Sequence, residues 1–307
     1  MTKTTGSAVV LGAMAICFSA MLWGLDGIVL TPRLYNLNII LVVFVIHALP
    51  FAIMNVFLFN QYKILRNLSR SDLLYIFLVA LTGGVVGTMA IVRALFLVEF
   101  RELTVVVLLQ KLQPVFAISL AAILLREKLH KNFLIWAGIA IVAGYFLTFG
   151  LQLPDLSNKS GTALAAFYSL LAAFSFGSAT VFSKRILHKV TFQGATFFRY
   201  GFTTAFMSIL LVFTGSWSGF GAITSANWIV FFIIAFTTGS GAVFLYYFGL
   251  RNVKAMVATI CELCFPLSAI VFDYLFNGKV LTMVQWVSAA IMLAAIIRLS
   301  IARKESI

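Results

Sequence analysis

Charged residues are scarce in this chain: Asp and Glu together number 9 among 307, and all charged types make up 10%. A soluble domain carries about 25%, so an ordinary water-facing surface is excluded. Histidine is rarer still, and His47, His130 and His188 lie far apart. No H-E-x-x-H pair, Walker loop or Gly-rich dinucleotide turn is present, so zinc hydrolysis, direct nucleotide drive and dinucleotide chemistry have no support. Nor is there a Thr-Val-Gly carbonyl filter of the kind that makes an ion channel selective. The expectation is a protein that is not an enzyme and has no cofactor and no metal. The 3 cysteines, Cys17, Cys261 and Cys264, all fall in apolar stretches. Cys261-Glu262-Leu263-Cys264 has C-x-x-C spacing without a second Cys or His pair, so it reads as helix packing.

What the chain does have is hydrophobicity, at 62% of residues and a mean hydropathy of +1.07. About 20 apolar residues cross a hydrocarbon core about 30 Å thick. Ten such spans fit, near 8–31, 38–59, 73–98, 103–125, 132–150, 161–186, 194–215, 228–250, 255–276 and 281–301. They leave no room for a soluble domain, and the first reads as an uncleaved helix. The net charge of +13 sits mostly in the short connections. With the N-terminus in the cytoplasm, 15 Lys and Arg fall in inside segments and 4, Arg33, Arg101, Lys159 and Lys279, fall outside. That asymmetry places both termini in the cytoplasm. It also makes the lipid bilayer, and no nucleic acid, the partner of the positive charge. The expected location is the cytoplasmic (inner) cell membrane, as a monomer or a homodimer.

The chain is written twice. Gln110-Lys111-Leu112-Gln113-Pro114 and Glu262-Leu263-Cys264-Phe265-Pro266 lie 152 positions apart, and the same offset carries Gly87 onto Gly239 and His47 onto Arg199. An offset of 153 carries Trp23-Gly24 onto Phe176-Gly177. An odd number of spans per copy makes the second copy enter the membrane from the opposite side. The expected fold is therefore an all-α membrane protein of ten transmembrane helices in two inverted five-helix repeats. Residues 1–150 form the first repeat, 151–160 the linker and 161–307 the second.

Ionisable groups inside a bilayer are costly and normally face a partner or a wet cavity. Asp26 shares a helical stripe with Ser19 and Trp23, and an acid beside an indole suits a substrate ring or cation; the alternative is a structural ion pair. Lys111 lies about 12 Å below the outer surface at 1.5 Å per residue, flanked by Gln110 and Gln113, with Pro114 freeing backbone carbonyls. Glu262 lies about 11 Å from the cytoplasmic surface by the same rise, where it serves either as a coupling carboxylate or as a salt-bridge partner of Lys111 or Arg93. Arg93 either lines a cavity or anchors at the outer interface. Tyr168 and Ser175, with Tyr246 or Tyr247, offer aromatic and hydroxyl lining. His47 and Arg199 occupy matching positions in the two copies and read as scaffold.

These motifs together resemble the drug/metabolite transporter superfamily, EamA type, over nearly all of the chain. The resemblance rests on Leu22-Trp23-Gly24, on Leu109-Gln110-Lys111-Leu112-Gln113-Pro114-Val115-Phe116 followed by Leu124-Leu125-Arg126-Glu127-Lys128-Leu129, and on Phe198-Arg199-Tyr200. It implies a central cavity between helices 1, 3, 4, 6, 8 and 9. That would place Trp23, Asp26, Arg93, Lys111, Tyr246 and Glu262 on cavity helices and leave His47 and Arg199 off them. Lys279 stands where the family pattern has a second glutamate, while Glu127 keeps the first. The expected function is secondary transport of a small polar organic metabolite by alternating access. Mixed charge at Lys111, Asp26 and Glu262 makes an amino-acid-like small-molecule substrate the first expectation, driven either by proton coupling through Glu262 or Asp26 or by facilitated diffusion alone. The alternatives are a choline-like organic cation or drug, and a non-transporting membrane scaffold.

Overall fold

The computed structural model describes residues 6–99, 106, 109–110, 112–151, 162–278 and 280–301. Among these every regular element is helical and no strand forms. This follows from composition, because apolar segments without water must satisfy their amides and carbonyls internally. The helices are α1 (Gly6–Leu25), α2 (Ile39–Leu58), α3 (Arg70–Val79), α4 (Gly87–Leu97), α5 (Gln113–Leu124), α6 (Lys131–Phe149), α7 (Thr162–Ile186), α8 (Phe192–Phe213), α9 (Ser225–Ile234), α10 (Ser240–Asn252), α11 (Ala255–Cys261), α12 (Cys264–Asn277) and α13 (Met283–Ile301). Starts are marked by polar caps where the chain leaves the apolar layer. Asn38 caps α2 and Thr191 caps α8, while Ser69 with Asp72 and Thr224 with Asn227 form capping boxes on α3 and α9.

Among the described residues, seven helical segments are long and apolar enough to cross a membrane: Gly6–Leu34, Ile39–Leu65, Arg70–Leu97, Ala163–Ile186, Phe192–Phe213, Ser225–Asn252 and Ala255–Phe276. Shorter apolar helices, Gln113–Leu124, Lys131–Leu147 and Met283–Leu299, occupy the other three positions expected from sequence. The fourth expected span, 103–125, is the one most reduced, since residues 100–105, 107, 108 and 111 lie outside the described residues. The linker 152–160 lies outside them too.

Three of the long segments pass through π-helical turns, at Asp26–Leu30, Ala80–Val86 and Ala235–Gly239. A fourth is interrupted outright, because Glu262 and Leu263 form a turn between α11 and α12. Pro114 stands in the first turn of α5, where a missing N–H is tolerated.

The closest packing joins the two halves of the chain. α1 lies along α10 and α12, while α7 lies along α4 and α5; α2 packs on α8 and α6 on α13. Two glycines explain how backbones approach so closely. A Cβ on Gly24 would meet the amide N of Ala269 at 2.9 Å and the carbonyl O of Phe265 at 3.0 Å. A Cβ on Gly177 would meet the amide N of Ala117 at 3.1 Å and the carbonyl O of Gln113 at 3.0 Å. The Gly that follows an aromatic in each copy is thus where a helix presses onto the proline-bearing helix of the other half.

Candidate functional site

A cavity of about 630 Å³ runs between the halves. It extends from Ser183, Arg199 and Thr259 in the middle of the helices to Leu34, Phe149 and Val280 at the end opposite the termini. Two polar ties from opposite halves lie at the terminal end. The Glu127 carboxylate accepts from the amides of Ala255 at 2.8 Å and Met256 at 3.1 Å, capping α11. Lys184 Nζ donates to the carbonyls of Leu250 at 2.8 Å and Arg251 at 3.1 Å, where α10 ends. Both placements follow helix polarity, with the anion at an N-terminus and the cation at a C-terminus.

At the centre stands Glu262, held in the break between α11 and α12. Its Oε1 accepts from the Tyr246 hydroxyl at 2.7 Å and more weakly from Thr180 Oγ1 at 3.4 Å. Its Oε2 accepts from Gln113 Nε2 at 2.5 Å. Gln113 begins α5 and Glu262 precedes α12, so the start of α5 meets the turn between α11 and α12. A helix that breaks here places a side chain and loosened backbone in the cavity, which an unbroken helix could not do.

Further out, Asp26 opens the π turn at the end of α1. Its Oδ2 accepts from Thr31 Oγ1 and its Oδ1 from Thr238 Oγ1, each at 3.0 Å. Thr238 lies in the π turn between α9 and α10, so this carboxylate staples two irregular segments from different halves. Trp23, one turn below, sets its ring 5.3 Å from that of Tyr246, tilted by 53°. Phe176, its counterpart in the second copy, lines the cavity as well.

Arg199 and His47 line the cavity too. Arg199 Nη2 donates to the carbonyl of Gly83 at 2.9 Å and Nη1 to the Tyr247 hydroxyl at 3.2 Å, while its buried Nε has no hydrogen-bond partner among the described residues. His47 Nδ1 lies 2.8 Å from the carbonyl of Val43, and its ring packs 5.2 Å from that of Tyr200. The cavity therefore gathers carboxylates, aromatic rings, a guanidinium and an imidazole.

Of the residues expected from sequence, Trp23, Asp26, Gln110, Gln113, Tyr246 and Glu262 line this cavity. Lys111 lies outside the described residues. Arg93 and Tyr168 are not on its wall. α4 turns Thr88, Ile91, Val92 and Leu95 inward, a stripe at helical spacing that leaves Arg93 exposed on another face. Tyr168 packs instead against a small cluster of Ala94, Val106 and Ala165. His47 and Arg199 need the opposite correction, since both line the cavity although the resemblance left them off it. Thr31, Thr180 and Thr238 were missed altogether. Isolated hydroxyls on apolar helices carry no sequence signal of the carboxylate they will meet.

The sequence matches the EamA-like transporter family over residues 10–150 and again over residues 163–301. The chain belongs to the EamA-like transporter family. It is thus a multi-pass membrane protein of a small-molecule transporter family and not an enzyme. Among its relatives, "Riboflavin transporter ImpX" of Fusobacterium nucleatum subsp. nucleatum is 52% identical over 290 residues, covering 94% of this chain and 97% of that protein. A solved structure described only as "Crystal structure of protein" aligns over 98% of both chains, with a TM-score of 0.64 and 15% identity. At that identity the likeness speaks for the fold alone.

Proposed function

We propose that this EamA-family transporter carries riboflavin or a closely related flavin across the cell membrane. The observation that carries the reading is the 52% identity to a protein named as a riboflavin transporter, maintained along nearly both full lengths. The cavity supplies the physical complement. Its volume of about 630 Å³ falls in the range of about 300–1,000 Å³ usual for small-molecule sites. Trp23, Phe176 and Tyr246 offer aromatic surface to a flat tricyclic ring. The carboxylates of Asp26 and Glu262 suit hydroxyl and imide donors, and Arg199 suits ring carbonyls. An isoalloxazine with a polyol tail presents donors and acceptors of both kinds without net charge.

The amino-acid-like reading is set aside in favour of this one. It relied on Lys111 to hold a carboxylate and on Asp26 or Glu262 to hold an ammonium. The relative at 52% identity is named for riboflavin instead.

We further infer that the chain works by alternating access between two inverted repeats, each spanning the bilayer five times. The packing supports this, because it is two-fold in pattern. At the 152-residue offset α1 corresponds to α7, α4 to α10 and α5 to α12; contacts of α1 with α10 and α12 mirror those of α7 with α4 and α5. The same offset carries α6, 131–149, onto α13, 283–301. With both termini in the cytoplasm, as the distribution of Lys and Arg favours, the cavity is open to the outside. Glu262, at the meeting point of the halves, is the carboxylate best placed to exchange a proton for cargo.

The test is direct. Tryptophan and tyrosine quench flavin fluorescence on contact, so purified protein titrated into riboflavin should quench it saturably. Loss of the aromatic contact in Trp23→Ala is expected to weaken binding about tenfold, on the scale of an aromatic pair at about 0.5–1.5 kcal/mol. Proteoliposomes should take up labelled riboflavin. Saturable flux of choline or of an amino acid with no flux of riboflavin would overturn the proposal.

A further inference from the structure

The chain has 3 cysteines spread over almost 250 positions, and the structure gathers all of them. Cys17 lies midway along α1, which packs on both α11 and α12, and its side chain packs against the core cluster that holds Cys261 and Cys264. Cys261 is the last residue of α11 and Cys264 the first of α12. They are 1% and 6% exposed within the main core, against which Cys17 packs as a half-buried neighbour. No disulfide joins them, and among the described residues no group of His, Cys, Asp and Glu has the arrangement to hold a metal ion. Packing alone, the role read from the sequence, would be served equally well by Ala or Ser.

The location matters more than the number. Cys261 and Cys264 bracket the turn at Glu262, whose carboxylate joins α5, α7 and α10 across the cavity. Cys17 is on the helix that packs along α10 and α12. A covalent bond from Cys17 to either cysteine would therefore tie α1 of the first half to the interruption in the second.

We infer that Cys17 and the Cys261-x-x-Cys264 pair form an oxidisable site, at which a disulfide from α1 pins the interrupted helix and arrests transport. The co-reactant class is a small uncharged hydroperoxide, able to enter an apolar layer. Cys17 sulfur attacks the peroxide oxygen, the O–O bond breaks, and water leaves with the thiol proton, giving a sulfenic acid. The thiol of Cys261 or Cys264 then attacks that sulfur, forming the S–S bond and releasing a second water. Two thiols lose two electrons, and the peroxide takes them up. Dithiothreitol reverses the step.

Hydrogen peroxide treatment of the purified full-length protein, followed by alkylation and mass spectrometry under non-reducing conditions, tests formation of the bond. The expected product is a peptide pair linking Cys17 to Cys261 or Cys264, whose fragments name the partner. Crosslinking should also raise the Tm by about 5 °C, reversibly with dithiothreitol. Riboflavin flux in proteoliposomes should fall at least about fivefold and recover on reduction, a readout that rests on the flavin proposal. Cys17→Ser, or Cys17→Ala if that folds better, should transport normally and ignore peroxide. Cys17 remaining fully alkylatable after peroxide would overturn the inference. So would linked protein that has the same Tm and the same flux as the reduced form. Failure of the flavin proposal would look different: no riboflavin flux before any oxidant, with the linked peptide and the Tm shift intact.

Discussion

Asp26 and Glu262 are both carboxylates in one cavity, yet their surroundings differ in kind. Asp26 is held by two hydroxyls, one of them from Thr31 in its own segment. Glu262 is held by a phenol, an amide and a hydroxyl from three other elements. The first is a two-point staple between π turns of the two halves. The second joins four elements through three donors, of which Gln113 comes from the other half. Position along the chain explains the contrast. Asp26 follows an unbroken helix, while Glu262 occupies the gap between α11 and α12, where a side chain can reach several neighbours.

The comparison is most easily broken at Glu262. Replacing it with Ala strips Tyr246 and Gln113 of their acceptor, and hydrogen bonds to a charged group are worth about 1.5–3 kcal/mol each. Riboflavin flux in Glu262→Ala proteoliposomes is expected to fall about 100-fold; flux near the parent level would show that the junction carries no load. A second, purely structural comparison pairs Gly24→Ala with Gly177→Ala. Both should lower the Tm, by an overpacking cost of about 1–3 kcal/mol. Gly24→Ala should be the worse, because its Cβ also collides with Ser268 Oγ. Equal melting curves would refute that ranking. Asp26→Asn keeps one acceptor oxygen for a hydroxyl, so flux should drop only about threefold, a cost under 1 kcal/mol. A loss as deep as that of Glu262→Ala would erase the distinction between staple and junction. The smallest effect belongs to Arg93→Gln, exposed and off the cavity wall. Its flavin affinity should match the parent within about twofold, and a larger loss would put Arg93 back in the site.

The architecture was legible in the sequence where a backbone requirement leaves a mark. Gly24 and Gly177 follow aromatic residues at matching positions where a Cβ would collide, at Gly24, or be tightly crowded, at Gly177. Pro114 and Pro266 stand in the first turns of α5 and α12, beside Gln113 and Glu262, which meet there. Which face of a helix looks inward was less legible. Arg93 was a candidate because it is an ionisable group on a cavity helix, but Ile91, Val92 and Leu95 take the inward stripe. His47 and Arg199 show the converse. Their matching positions were visible, yet matching position alone does not separate scaffold from lining. The guanidinium of Arg199 does both, holding the Gly83 carbonyl within the π turn of Ala80–Val86 while facing the cavity. The threonines that satisfy Asp26 could be found only once the helices were assembled.

The Glu127 cap carries one more consequence. Two main-chain amides at the start of α11 have their acceptor on the other half of the protein. Parting the halves at that end bares both donors at once, and α11 itself supplies no acceptor for its first N–H groups. Water must arrive as the carboxylate leaves. The start of α11 is thus a helix terminus that is complete only while the two halves meet there.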